Sequence, residues 1–196
     1  MSQLLNELNL KNFEQFSSGD HTFENPHGMI RHFKTDMTAS SRITGGMKSL
    51  VEAMQKQIPS ENFMLNIELK QLNLLDNDEI EMTAVNKENK DVSFVTKSVV
   101  LAMPPNIIQK NISFVPELTP ITQKNLSIQR TWMASQAKIV VIYDRPFWRD
   151  NNLSGTANSH RGPLQEIHDA SPENNHTGAL FGFFGLSPEE RRGLGE

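Results

Sequence analysis

Apolar residues change their spacing several times along the chain, and each change predicts an element. Leu4, Leu5, Leu8 and Leu10 fall at helical intervals and predict a short helix, followed by an extended Phe13-Glu14-Gln15-Phe16. Ser17-Ser18-Gly19-Asp20 has turn composition. His21–Glu24 and Met29–Phe33 read as two strands around the turn residues Asn25-Pro26-His27-Gly28. Lys34 to Ser41 is a polar connector. Met47, Leu50, Val51 and Met54 then predict a helix over about 46–57, stopped by Pro59.

Residues 63 to 101 read as a β-meander. Its turns are Asp76-Asn77-Asp78 and the polar loop Asn86–Asp91, and its last segment is the apolar run Val99-Val100-Leu101, with the composition of a buried central strand. Pro104-Pro105 breaks that run. Thr119 as cap and Pro120 at the first position predict a helix to about Gln129. Ala137 to Tyr143, with Ile139, Val140, Val141 and Ile142, is the clearest strand. Three further strands are expected at 154–158, 164–168 and 179–184, and Ser187-Pro188-Glu189-Glu190 opens a final helix. The expected fold class is α+β: a mixed, largely antiparallel β-sheet with flanking helices and the Lys138 strand near its centre.

The chain has 196 residues, enough for one compact domain or two small ones. Its mean hydropathy of -0.47 is on the polar side of globular. Nineteen basic against 23 acidic residues give a net charge of -4, without the basic excess of a nucleic-acid binder. The absence of cysteine removes disulfides, Cys-ligated zinc and thiol nucleophiles. It fits a reducing compartment, and a cytoplasmic location is expected. No apolar run approaches a membrane span, and no leader pattern is visible at the N-terminus, so the Asn-x-Ser/Thr triplets at Asn111, Asn125, Asn152 and Asn175 are not expected to carry glycans. A final helix that has barely begun at Glu196 suggests a piece of a longer polypeptide.

Several chemistries leave no signature. There is no Gly-x-Gly-x-x-Gly between a strand and a helix, no Walker sequence, no His-Glu-x-x-His and no Gly-x-Ser-x-Gly. The six histidines, His21, His27, His32, His160, His168 and His176, lack the tight spacing of metal ligands, so no metal site is expected and a metal-dependent hydrolase is the weakest reading. Lys138 opens the most apolar strand. A lysine there has either a partner or function, or a solvated face shared with Val140 and Ile142. Alternation places Glu166 and His168 on one strand face, which suits a general acid/base pair or a surface ion pair. Trp132, Phe147 and Trp148 flank the Lys138 strand, and core packing is the commoner use of such aromatics.

An ordered set of segments resembles the flavin-dependent amine oxidases of the monoamine oxidase and L-amino-acid oxidase type. Arg42-Ile43-Thr44-Gly45-Gly46 is similar to that family's Arg-x-x-Gly-Gly. Phe63–Leu72 is similar to the strand that opens its meander, and Val99–Pro105 to its Val-x-x-Ala-x-Pro-Pro. Phe114-Val115-Pro116-Glu117-Leu118 resembles its Phe-x-Pro-x-Leu, and Lys138 followed by Pro146-Phe147-Trp148 its lysine strand and Pro-Phe-Trp end.

The resemblance implies an FAD-dependent oxidation of a primary or secondary amine to an imine, by hydride transfer to flavin with release of peroxide. It implies a role for Lys138 near the flavin's reactive nitrogen through a water. It implies cofactor contacts at Gly45, Gly46, Leu69, Pro104 and Pro105, and no metal. It assigns residues 1–41 and 105–196 to a substrate-binding domain, and 42–104 to a helix and meander of the FAD domain. The Rossmann part is missing, with its helix N-terminus for the pyrophosphate, and so is the family's C-terminal glycine-rich segment. The chain alone is therefore expected to bind FAD poorly and to be inactive. An exposed apolar face is expected to drive self-association. The expected partner is a small-molecule amine, with no nucleic acid. The alternative is a non-catalytic binding or interaction module that keeps the substrate-domain fold.

Overall fold

The computed structural model describes residues 2–34, 40–173 and 176–193. The middle of the polar connector, Asn175 and the last residues lie outside this set. The chain divides into two compact units, Met1–Ile58 with Ser135–Glu196, and Pro59–Ala134.

The first unit begins with α1 (Ser2–Glu7), β1 (Asn12–Glu14), β2 (Asp20–Glu24), β3 (Ile30–Phe33), β4 (Ser41–Ile43) and α2 (Gly46–Gln55). The second holds the meander β5 (Ile67–Leu74), β6 (Ile80–Asn86) and β7 (Asp91–Thr96), then α3 (Pro105–Asn111), β8 (Ser113–Val115) and α4 (Pro120–Ile128). The first unit resumes with β9 (Lys138–Tyr143), a 3-10 turn at Phe147–Asn151, β10 (Leu153–Ser159), β11 (Leu164–Asp169), β12 (Gly178–Phe184) and α5 (Pro188–Arg192).

The first unit is built on a six-stranded sheet of order β3-β2-β10-β11-β12-β9. Every neighbouring pair is antiparallel except β2 with β10. β1 and β4 form a separate two-stranded ribbon. The fold is therefore α+β, with a mixed and largely antiparallel sheet. In the second unit the order is β7-β6-β5-β8, with β8 parallel to β5. Its core is Leu72 with Ile108 and Ile112 from the α3 region, packed by Leu69, Ile80, Met82 and Leu126. Burying such side chains stabilises by about 1.5–3 kcal/mol each.

Helix ends follow the predicted chemistry. Thr119 caps α4, its side chain accepting from the Thr122 N–H, with Pro120 in the first turn. Ser187 and Glu190 form a reciprocal capping box on α5: Ser187 Oγ accepts the Glu190 N–H, and the Glu190 carboxylate accepts the Ser187 N–H at 2.7 Å.

Two expectations are corrected. Among the described residues β9 pairs only with β12 and lies at the sheet edge, not near its centre. Sheet order is decided by non-local pairing, and an apolar strand does not announce its neighbours. The Val99–Leu101 run forms no strand. Val99 and Leu101 pack on the second unit's core while Val100 is 90% exposed. The run alternates in and out without a ladder, ending at Pro104 and Pro105, which have no N–H to donate. α3 follows directly from these prolines, with Pro104 as its cap, a helix start that the sequence pattern did not predict.

Candidate functional site

Antiparallel register places cross-strand partners on one face of a sheet. In the six-stranded sheet, Lys138 lies opposite Phe183, and Val140 opposite Phe181. Phe183 in turn lies opposite Glu166, and Phe181 opposite His168. Asn158 lies opposite Glu166 and beside Phe23 on β2. Phe23 pairs with Arg31, and His21 with Phe33. One face thus carries two rows of aromatic, imidazole and charged side chains, running from β9 to β3.

The rows are in contact. The Lys138 ammonium sits 5.2 Å from the Phe183 ring centroid and 5.9 Å from that of Phe181. The two phenyl rings meet edge to face at 4.6 Å, and the His168 ring stacks on Phe181 at 5.9 Å. His168 Nε2 is 2.6 Å from Glu166 Oε1, so the alternation expected of these two residues brings them together. At the far side His21 Nδ1 is 2.8 Å from Thr156 Oγ1, and its ring meets Phe33. Burial lowers the pKa of His21 below its ordinary 6.5; a nearby His168 acts in the same direction and the Asn158 side chain opposes it.

Lys138 itself is exposed, as are Val140 and Ile142 beside it. Of the two environments open to it, the structure selects the solvated face, with the aliphatic stem and ammonium laid against aromatic rings.

The opposite side of the sheet is fixed by a buried charge. Asp169, 1% exposed, accepts from Trp148 Nε1 at 3.0 Å and from Arg149 Nε and Nη2 at 3.1 and 2.8 Å. Its other oxygen accepts the Ser171 N–H at 2.8 Å. The Arg149 guanidinium also covers the Phe16 ring at 3.9 Å. Trp148 is buried, so this aromatic does pack the core, while Trp132 is exposed. Asp169 follows His168 directly in sequence, and the local pattern carries no signal for its partners some 20 positions away. Only the proximity of Pro146-Phe147-Trp148-Arg149 to the same sheet would have pointed there.

Gly45 and Gly46 have φ of 81° and 76°, the left-handed region that favours glycine, and lead into α2. A Cβ on Gly45 would lie 2.3 Å from Ser49 Oγ, whereas one on Gly46 would meet nothing within 4 Å. The N-terminus of α2 has no side-chain cap. Gly45 lines a cavity of about 410 Å³ with Phe13, Thr44, Pro172 and Glu173, and Lys138 is not among its walls.

The remaining expected contacts belong to the second unit. Leu69 lies in β5 and points into the core beside Leu72. Pro104 and Pro105 start α3, whose Ile108 belongs to that same core. Lys138, Gly45 and Gly46 therefore share one compact unit, and Leu69, Pro104 and Pro105 the other. Among the described residues no cluster of three or more His, Asp or Glu side chains is arranged to hold a metal ion. No helix among them is long and apolar enough to cross a membrane.

Residues 1–192 match the family described as flavin containing amine oxidoreductase. The chain is 30% identical over 173 residues to putrescine oxidase of Kocuria rosea, covering 81% of this chain and 36% of that protein. It is 28% identical over 160 residues to the probable flavin-containing monoamine oxidase A of Dictyostelium discoideum, covering 77% and 33%. The chain thus spans about a third of the length of these curated relatives. The solved structure of a wild-type putrescine oxidase bound to putrescine superposes with a TM-score of 0.78 over 97% of this chain and 65% of that one; at 17% identity this likeness concerns the fold alone.

Proposed function

Because the chain belongs to the flavin containing amine oxidoreductase family, we propose that it is the substrate-facing part of an FAD-dependent amine oxidase. The observation that carries this reading is the aromatic face headed by Lys138, within a chain whose family match runs through 1–192. The curated relatives include a putrescine oxidase and a monoamine oxidase, which supports an amine as substrate.

The residues present suit parts of the cofactor. The uncapped N-terminus of α2 offers backbone N–H groups, and Gly46 leaves open space beside them. Lys138 offers an exposed cation over aromatic rings. FAD, when bound, supplies the acceptor for the hydride leaving the carbon next to the amine nitrogen. Lys138 is proposed to hold a water by hydrogen bonding at that end of the site. Phe181 and Phe183 cover the carbon skeleton of the substrate and keep bulk water from it. Glu166, paired with His168, is the anionic group of the face and meets the ammonium of a cationic substrate. Gly45, Gly46, Leu69, Pro104 and Pro105 are the proposed cofactor contacts, through backbone at Leu69, whose side chain is in the core.

On this reading residues 1–41 and 105–196 serve the substrate and 42–104 the cofactor. The compact units divide elsewhere, after Ile58 and after Ala134, so the functional assignment concerns which surfaces face FAD and not which segments pack together. The 196-residue chain alone is proposed to be inactive.

The test is purification of the longer protein that contains this segment. It is expected to retain flavin through gel filtration and to release peroxide with putrescine or another primary amine, while the 196-residue chain retains none. A longer protein that holds flavin but leaves every amine unoxidised would overturn the amine oxidase reading. Retention of flavin by the short chain would overturn its proposed inability to bind the cofactor.

A further inference from the structure

His21 is 6% exposed, and its Nδ1 lies 2.8 Å from Thr156 Oγ1. Thr156 Oγ1 is 2.7 Å from Ser154 Oγ, and the Ser154 hydroxyl reaches the Asp20 carbonyl at 3.0 Å. Ser154 Oγ also accepts the Thr156 N–H at 3.2 Å. All three side chains are buried. Asn158, next along the same face of β10, lies opposite Glu166, and its Nδ2 donates to the Gln165 carbonyl at 3.2 Å.

These partners can satisfy two protonation states. With a neutral ring protonated on Nε2, the Thr156 O–H donates to the Nδ1 lone pair and the Ser154 O–H donates to Thr156 Oγ1. With a charged ring, Nδ1–H donates to Thr156 Oγ1, the Thr156 hydroxyl turns to donate to Ser154 Oγ, and the Ser154 hydroxyl turns to donate to the Asp20 carbonyl. Rotation of two hydroxyls therefore accommodates a proton at Nδ1 while both hydroxyls keep an acceptor.

We propose that His21 is a proton-linked switch buried in the sheet, whose Nδ1 gains and loses a proton as the Thr156 and Ser154 hydroxyls turn to match it. The groups that bear on it are defined by the register. On β3, Phe33 is opposite and Arg31 lies next along the same face. β10 contributes only the neutral Ser154, Thr156 and Asn158. On β11, His168 and Glu166 share the face. A positive charge on His168 or Arg31 disfavours a proton on His21, and the negative charge of the Glu166 carboxylate favours it. Acidification consequently adds a positive charge to the face that a cationic amine would approach. That last consequence rests on the amine oxidase reading; the switch itself does not.

The test is a pH titration of the imidazole nitrogens of the 196-residue chain by NMR, with neither flavin nor amine present. His21 is expected to be neutral as the Nε2–H form near pH 7 and to titrate below 6.5 with the fold retained. Ser154→Ala removes the acceptor that Thr156 needs only in the charged state, and is expected to lower the His21 midpoint by roughly half to one pH unit. Thr156→Ser keeps both hydroxyls and is expected to leave the midpoint within a few tenths. An Nδ1–H neutral form in the wild-type chain, or a midpoint unmoved by Ser154→Ala, would overturn the proposal. The wild-type measurement decides by itself if the alanine variant does not fold. Failure of the amine assay leaves these outcomes untouched.

Discussion

Lys138 and Phe183 face each other across β9 and β12, with the ammonium 5.2 Å from the ring centroid. The pairing keeps a cation on an exposed strand without a carboxylate partner in its register position. It leaves the ammonium available to a ligand while its stem is held by packing.

Lys138→Met should therefore separate activity from stability. In the longer protein, amine-dependent peroxide formation is expected to fall at least about tenfold, the scale of one lost polar contact at a reacting centre. The folding free energy should change by no more than about 1 kcal/mol, the worth of an exposed cation–π contact. Parallel oxygen-uptake and denaturant-unfolding measurements check both halves.

Asp169→Ala is expected to behave in the opposite way. It strips Trp148 and Arg149 of a shared buried acceptor, and breaking a buried pair from one side costs about 3–5 kcal/mol. Urea unfolding of the variant should show a midpoint shift of that size. A change below 1 kcal/mol would mean that water replaces the carboxylate without difficulty.

Two glycines with similar dihedrals should differ in their tolerance of alanine. Gly155, at φ 75°, would place a Cβ 2.6 Å from Trp148 Nε1 and 2.9 Å from Asp169 Cβ, whereas Gly46, at 76°, has open space. Gly155→Ala is expected to cost about 2–4 kcal/mol, from backbone strain plus overpacking. Gly46→Ala should cost about 1–2 kcal/mol from the dihedral alone. Thermal unfolding of the two variants under one buffer condition gives the comparison.

The stability of the sheet should depend on pH through His21. Its folded pKa lies below the ordinary 6.5, so the unfolded chain binds more protons in the window between the two values. Stability is then fully present above 6.5, and is lost as pH falls through that window toward the folded value. His21→Asn should flatten this part of the stability profile, as read by chemical denaturation at a series of pH values.

The edge position of β9 predicts association. Val140 and Ile142 are 58% and 71% exposed on an edge strand that, among the described residues, has no second neighbour in its sheet. Light scattering of the 196-residue chain should show mass rising with concentration, and Val140→Lys should suppress it. A monomer at every concentration would remove this expectation.

Local chemistry was legible in the sequence and distant pairing was not. Thr119-Pro120 and Ser187-Pro188 mark helix starts because a cap and its N–H lie within one turn. Glu166 and His168 meet because two residues on one strand share a face. By contrast, His21 and Thr156 are separated by 135 positions, and no periodicity reveals that β2 lies beside β10. The same limit explains β9, whose apolar character suggested the centre of a sheet that places it at the edge. Lys138 is conspicuous as the charge that opens the most apolar strand, but a lysine on a solvated strand face has no distinctive pattern, and only the family resemblance attaches a role to it.

The parallel pairing of β2 with β10 has a consequence for biosynthesis. Asp20 and Ser154 are joined by a hydrogen bond across 134 positions, and the whole meander unit lies between them in sequence. A chain emerging from a ribosome presents β2 and β3 long before their neighbour exists. The intervening meander is made of sequence-local hairpins and can close first. The N-terminal hairpin must then wait with one strand edge unmatched until β10 has been synthesised, which makes that interval the time of greatest exposure to misassociation and to chaperone capture.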